Sequence, residues 1–115
     1  MKAAAAITSL SALAHEHRLA VFRMLVQAGP DGRAAGEIAE ALDLAPSSLS
    51  FHLAHLTRAR LIVVRREGRS LIYSADFDAM NALVGYLTEN CCGGRACIPA
   101  NSAPANATGR KRRKA

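Results

Sequence analysis

The chain has no tryptophan, and its aromatic side chains are two tyrosines and three phenylalanines among 115 residues. A core without large rings must rest on Leu, Ile, Val and Ala, and in a chain of one domain's length that core stays small. No run of sequence approaches the ~18 apolar residues of a membrane span. A secretory leader is also not expected. Lys2 precedes "AAAAITSLSALA", and Ala12-Leu13-Ala14 imitates a cleavage site, but Thr8, Ser9 and Ser11 interrupt the run and helical patterning continues past it. A cytoplasmic chain follows, in which thiols stay reduced. Cysteine is missing until Cys91 and then occurs three times, at Cys91, Cys92 and Cys97, in "CCGGRAC". Clustered thiols in a reducing compartment point to metal or redox chemistry. Histidine shows the opposite bias, and none follows His55.

The formal charge is +6, from fifteen basic and nine acidic residues. The tail run Arg110-Lys111-Arg112-Arg113-Lys114 accounts for most of it, so the rest of the chain is nearly neutral. Bases nevertheless gather inside that rest. Arg58, Arg60, Arg65, Arg66 and Arg69 fall close together, with Glu67 the one acid among them. A local basic strip is the footprint of a nucleic-acid surface.

The patterning is mainly α with a small β-hairpin. Residues 4–28 carry Leu10, Leu13, Leu19, Phe22, Leu25 and Val26 at helical spacings, with a break near His15 that gives two helices. "GPDG" at 29–32 is a turn. A short helix follows over 34–42, with Ile38, Ala39 and Leu42 inward. "DLAP" turns the chain, and Pro46 suits the first position of the next helix, where its missing N–H has no partner to lose. That helix is expected to reach about Arg60 and to bury Leu49, Leu53 and Leu56. Two short helices across a tight turn make a helix-turn-helix. Val63-Val64 and Leu71-Ile72-Tyr73 then read as two strands around the basic tip "REGR". Asp76 caps a last helix with Phe77, Met80, Leu83, Val84 and Leu87 on one stripe, which frays into the cysteines. Residues 1–98 are therefore expected to form the domain. Residues 99–115, rich in Ala, Asn, Ser and Pro and then basic, read as a disordered tail.

A helix fits the major groove, and a flanking hairpin reaches the backbone or the adjacent minor groove. Ser47, Ser48, Ser50 and His52 lie early on the second helix, the end that meets base edges. Arg58, Arg60, Arg65, Arg66 and Arg69 are expected on phosphates, where they fix register. The pattern thus points to double-stranded DNA as the partner. The four histidines read as helix-surface or groove residues. His15 and His17 are two apart and would not share a helix face.

"LSALAHEHRLAVFRML", "EIAEALDLAPSSLSFHLAHLTRARLI" and "REGRSLIYSAD" together resemble the ArsR/SmtB family of winged helix-turn-helix, metal-responsive repressors, over about residues 8–90. The resemblance implies a homodimer joined through its first and last helices, which leaves operator DNA when an inducer binds. Family members often carry Gln where this chain has Pro46, so one implied base contact is missing. Two inducer positions of the family are poorly supplied here. The first helix of the helix-turn-helix, "AAGEIAEAL", has no thiol. The last helix offers Asp76 and Asp78 but no following histidine, which argues against zinc there.

The cysteine segment remains. Three thiolates without histidine make a soft site. A structural zinc site takes a fourth ligand, whereas As(III) takes three because its lone pair fills the remaining direction. In an intact helix Cys91 and Cys92 point about 100° apart, so local unwinding is required, and Gly93 and Gly94 permit it. A cysteine pair with one later cysteine at the last helix resembles the arsenite-responsive branch of the family. On that resemblance Cys91, Cys92 and Cys97 are assigned as ligands of As(III), the inducer. Antimony(III), methylated trivalent arsenic and a thiol-disulfide switch use the same thiols and stay open. An enzyme is not expected, because thiols after a helix C-terminus face the wrong end of the dipole for activation.

Overall fold

Where one helix could have run on to residue 28, His15 takes an extended backbone (φ −155°, ψ 133°) and divides it. The computed structural model of the chain describes residues 1–94, and Cys97 and the tail lie outside them. Helix α1 spans Ala3–Leu13 and α2 spans Glu16–Ala28. His15 caps α2 with its own ring, Nδ1 accepting the His17 N–H at 3.1 Å. This satisfies one of the donors that every helix start leaves open.

Helix α3 (Ala35–Leu42) opens with Glu37 reaching back to accept the Ala34 N–H at 2.9 Å. It ends at Asp43, which is left-handed (φ 53°). Helix α4 runs Pro46–Arg58 with Pro46 in its first turn. Arg60 (φ 64°) stops it, and the Leu61 N–H returns to the Leu56 carbonyl at 3.1 Å. The expected end near Arg60 is thus the C-cap turn, where the chain leaves the helix axis.

Strands β2 (Ile62–Glu67) and β3 (Ser70–Ala75) form the expected hairpin, paired from Ile62–Ala75 to Glu67–Ser70. Its two-residue tip is Gly68-Arg69, with Gly68 at φ 63°, the dihedral a II′ turn needs at its first position. A third strand, β1 (Arg33–Ala34), pairs antiparallel with β3 and completes the order β1-β3-β2. Gly32 enters β1 at φ 71°, so close to β3 that an added Cβ would sit 2.3 Å from the Tyr73 carbonyl oxygen. Helix α5 spans Phe77–Leu87, and Asp76 caps it by accepting the Ala79 N–H at 3.0 Å.

The core joins Val21, Phe22 and Leu25 of α2, Ile38 and Ala39 of α3, Leu49, Leu53 and Leu56 of α4, and Leu61, Ile62 and Ala75 at the sheet. It is aliphatic, as the composition requires, and truncating one of its leucines to Ala costs about 2–5 kcal/mol. The first helix departs from expectation. Ala6, Ser9 and Ala12 are its buried residues, while Ile7 and Leu10 face outward. Small residues let α1 lie close against the domain, and its large apolar side chains are left on the outside.

Candidate nucleic-acid interface and thiol site

Helix α4 divides cleanly by its 3.6-residue period. Leu49, His52, Leu53 and Leu56 are buried, and Ser47, Ser48, Ser50, Phe51, Ala54 and Arg58 are exposed. The helix therefore presents three hydroxyls at its N-terminal end on a surface that the core holds rigidly from behind. Arg58 sits about 16 Å along the axis from Ser47. There it lines a groove with Ile7, Thr8 and Ser11 of α1. The serines and Arg58 share a helix but occupy opposite ends of it.

His52 is corrected by the structure. It is only 8% exposed and faces inward, because it falls three residues after Leu49 and four before Leu56 on the packed side. It is not available to base edges. Its ring lies 4.7 Å from that of His15 and 5.6 Å from that of His17, with His15 and His17 themselves 5.6 Å apart. The expectation that His15 and His17 would diverge placed both on helical backbone. His15 instead stands outside α2 as its cap, so its ring turns toward His17. Burial lowers the His52 pKa from its ordinary value, and the neighbouring His15, Arg18, His17 and His55 lower it further. Its Nδ1 is buried without a hydrogen-bond partner among the described residues. Among the described residues no three His, Cys, Asp or Glu side chains are placed to hold a metal ion.

Arg65 is engaged within the protein. Its Nε donates to Glu67 Oε2 at 2.6 Å, and its terminal nitrogens donate to the Pro30 and Asp31 carbonyls at 3.2 and 2.7 Å. Each of its three nitrogens donates within the protein, so Arg65 fastens the wing to the turn after α2. Arg66 and Arg69 have no ion pair or hydrogen bond within the described residues and project from the hairpin. The wing thus carries two uncommitted cations beside Ser70 and is held in place by a third.

The thiols follow α5. Cys91–Gly94 form a tight turn with Cys92 (φ 57°) and Gly93 (φ 66°) both left-handed. This is the unwinding that two adjacent cysteines need to turn one way, and their Sγ atoms lie 3.7 Å apart. Cys91 is disulfide-bonded in this state, and once it is reduced the two sulfurs are near enough to share one soft ion. Both residues are exposed. Cys97 lies outside the described residues.

A family described as a helix-turn-helix domain matches residues 13–65, from the end of α1 into the wing. The HTH-type transcriptional regulator YgaV of Escherichia coli is 34% identical over 83 residues, covering 72% of this chain and 82% of that protein. The transcriptional activator HlyU of Vibrio cholerae is 33% identical over 89 residues, covering 77% and 80%. The solved structure of that HlyU superimposes with a TM-score of 0.62 at 30% identity, over 80% of this chain and 99% of the other. The chain belongs to the ArsR family of winged helix-turn-helix transcriptional regulators. A homodimeric winged helix-turn-helix domain from Mycobacterium bovis, described as a possible ArsR-family regulator, matches with a TM-score of 0.61 at 26% identity, over 80% and 85%.

The relatives are regulators of transcription and not enzymes. In this ArsR-family protein α3 and α4 are the helix-turn-helix and the β2–β3 hairpin is the wing. Sequence reasoning missed Phe51, an exposed aromatic in the middle of the α4 surface. The signal was present, since Phe51 lies between Leu49 and Leu53 and so falls opposite the Leu49/Leu53/Leu56 stripe.

Proposed function

We propose that the protein is a dimeric, cytoplasmic repressor that holds operator DNA through α4 and the wing and releases it when As(III) binds the cysteines after α5. The observation that carries the inducer is the 3.7 Å approach of the Cys91 and Cys92 sulfurs on a backbone already turned out of the helix. Cys97 would supply the third thiolate. A soft trivalent ion suits three sulfurs with no imidazole among them.

The dimer reading rests on two apolar faces and one relative. Ile7 and Leu10 of α1 and Val84 and Leu87 of α5 are large, apolar and exposed, Ile7 by 66% and Leu87 by 57%. Helices α1 and α5 pack on each other. Burying them against a second copy gains about 25 cal/mol per Å². The Mycobacterium bovis structure is described as homodimeric. Ser47, Ser48 and Ser50 meet base edges, and Arg66 and Arg69 meet phosphates. Arg58 and Arg60 extend the positive surface behind them.

A second reading, thiol redox control, is favoured by the disulfide-bonded state of Cys91. One experiment separates the two. A duplex recovered by selection from random sequence is bound to the reduced protein under a phosphine reductant, and arsenite is titrated in. Release at micromolar arsenite supports the As(III) reading. Release by a mild oxidant, with none by arsenite, supports redox control instead. The sign of regulation is read from a reporter, since HlyU is named an activator.

A further inference from the structure

Phe51 is 63% exposed at the centre of the outward face of α4, and every neighbour on that face near the N-terminal end is small. Ser47 lies one turn before it, Ser48 three residues before it and Ala54 three residues after it. The phenyl ring is therefore the most protruding group on the surface that faces DNA. Leaving a phenylalanine in water forgoes roughly 1.5–3 kcal/mol of burial. The apolar faces of α1 and α5 lie on other elements and do not account for it. Its orientation is also held. The ring meets the edge of His52 at 5.9 Å and 70°, and His52 is itself buried among His15 and His17.

We propose that Phe51 is a specificity-determining residue that reads thymine, its ring packing on the 5-methyl group in the major groove. This rests on the reading that α4 enters that groove. Of the groups that base pairs present there, the thymine methyl is the apolar one, and it is absent from cytosine and from the minor groove. The serines around Phe51 supply hydrogen bonds but no apolar contact. Arg66 and Arg69 on the wing are assigned to the phosphates. Wedging between bases is a minor-groove device and does not suit a helix seated in the major groove.

The test uses the full-length protein and the duplex recovered by selection. Each thymine is replaced in turn by deoxyuridine, which removes only the methyl group, and affinity is read by fluorescence anisotropy at fixed salt. At one thymine per half-site the wild-type protein should bind the uracil duplex about fourfold more weakly, the worth of one buried methyl. Phe51→Ala should bind the thymine duplex more weakly and show no thymine-over-uracil preference there. Phe51→Leu should retain part of it. Wild-type indifference to uracil at every position overturns the proposal, as does an unchanged preference in Phe51→Ala. Failure of any duplex to be selected would instead overturn the α4 reading, so the two failures are distinct.

Discussion

The imidazoles of His15 and His52 lie 4.7 Å apart, one capping α2 and the other buried on the inner face of α4. A junction of three helices is thereby lined with imidazoles. His17, Arg18 and His55 face the same pair, and Arg18 Nε also donates to the Ala12 carbonyl at 2.6 Å, tying the end of α1 to α2.

Stability should therefore fall on acidification. His52 has its pKa lowered from the ordinary 6.5 by burial first and by positive neighbours second. His55 is lowered for the same kinds of reason, with Arg18, Arg58 and His15 as its neighbours. The unfolded chain takes up these protons at about pH 6.5, while the folded chain resists them until lower pH. The unfolded state then binds more protons, so stability is lost as pH falls below 6.5 and stops falling once the folded pKa is passed. Urea unfolding at pH 7.5, 6.5 and 5.5 should show a falling midpoint. His52→Gln should flatten that fall, and an unchanged slope would remove His52 from the account.

Arg65 and Arg69 should behave differently in DNA binding although both are wing arginines. Arg69 has no partner among the described residues, so Arg69→Ala should weaken all sequences alike and reduce the salt slope by about one. Arg65 is committed to Glu67, Pro30 and Asp31. Arg65→Ala should weaken binding by loosening the wing while leaving the slope unchanged. Affinities measured across a salt series check both, and a slope change for Arg65→Ala would return it to the phosphates.

Two glycines should respond in opposite senses to alanine. Gly32→Ala forces a left-handed residue to carry a Cβ 2.3 Å from the Tyr73 carbonyl oxygen, and a loss of at least about 2 kcal/mol is expected. Gly36 lies in α3 with nothing within 4 Å of an added Cβ, and Gly36→Ala should stabilise by about 0.5 kcal/mol. Thermal unfolding of the two variants distinguishes them directly.

Much of this was legible in the sequence because the strong signals were local. Pro46 marked the start of α4, the Leu49/Leu53/Leu56 spacing marked its buried face, and Gly68 marked the hairpin tip. What was not legible depended on tertiary partners. Strand β1 is two residues long and exists only because Arg33 and Ala34 meet Tyr73 and Ile72. Leu10 reads as core by its spacing but faces out, since the close approach of α1 selects Ala6, Ser9 and Ala12 instead. Arg65 reads like its neighbours until the chain brings the carbonyls of residues 30 and 31 beneath it. His52 reads as a base contact from its place early on α4, and only the packed face of that helix shows otherwise.

The cysteines give the last prediction. An inducer releases DNA only if it binds the DNA-free conformation more tightly than the bound one, since equal affinity shifts nothing. The Cys91–Gly94 turn lies a short turn beyond the apolar end of α5, where Val84 and Leu87 are exposed. Drawing three sulfurs onto one ion there would reorganise the end of that helix. If α5 joins two subunits, the spacing of the two α4 helices changes with it. Each of Cys91→Ser, Cys92→Ser and Cys97→Ser should bind the selected duplex as the wild type does while losing at least tenfold in sensitivity to arsenite. Anisotropy titrations under reductant measure this, and X-ray absorption counts the sulfur ligands. Wild-type release by Cys97→Ser would reduce the site to the Cys91–Cys92 pair. Wild-type release by the triple variant would remove the cysteines from the mechanism.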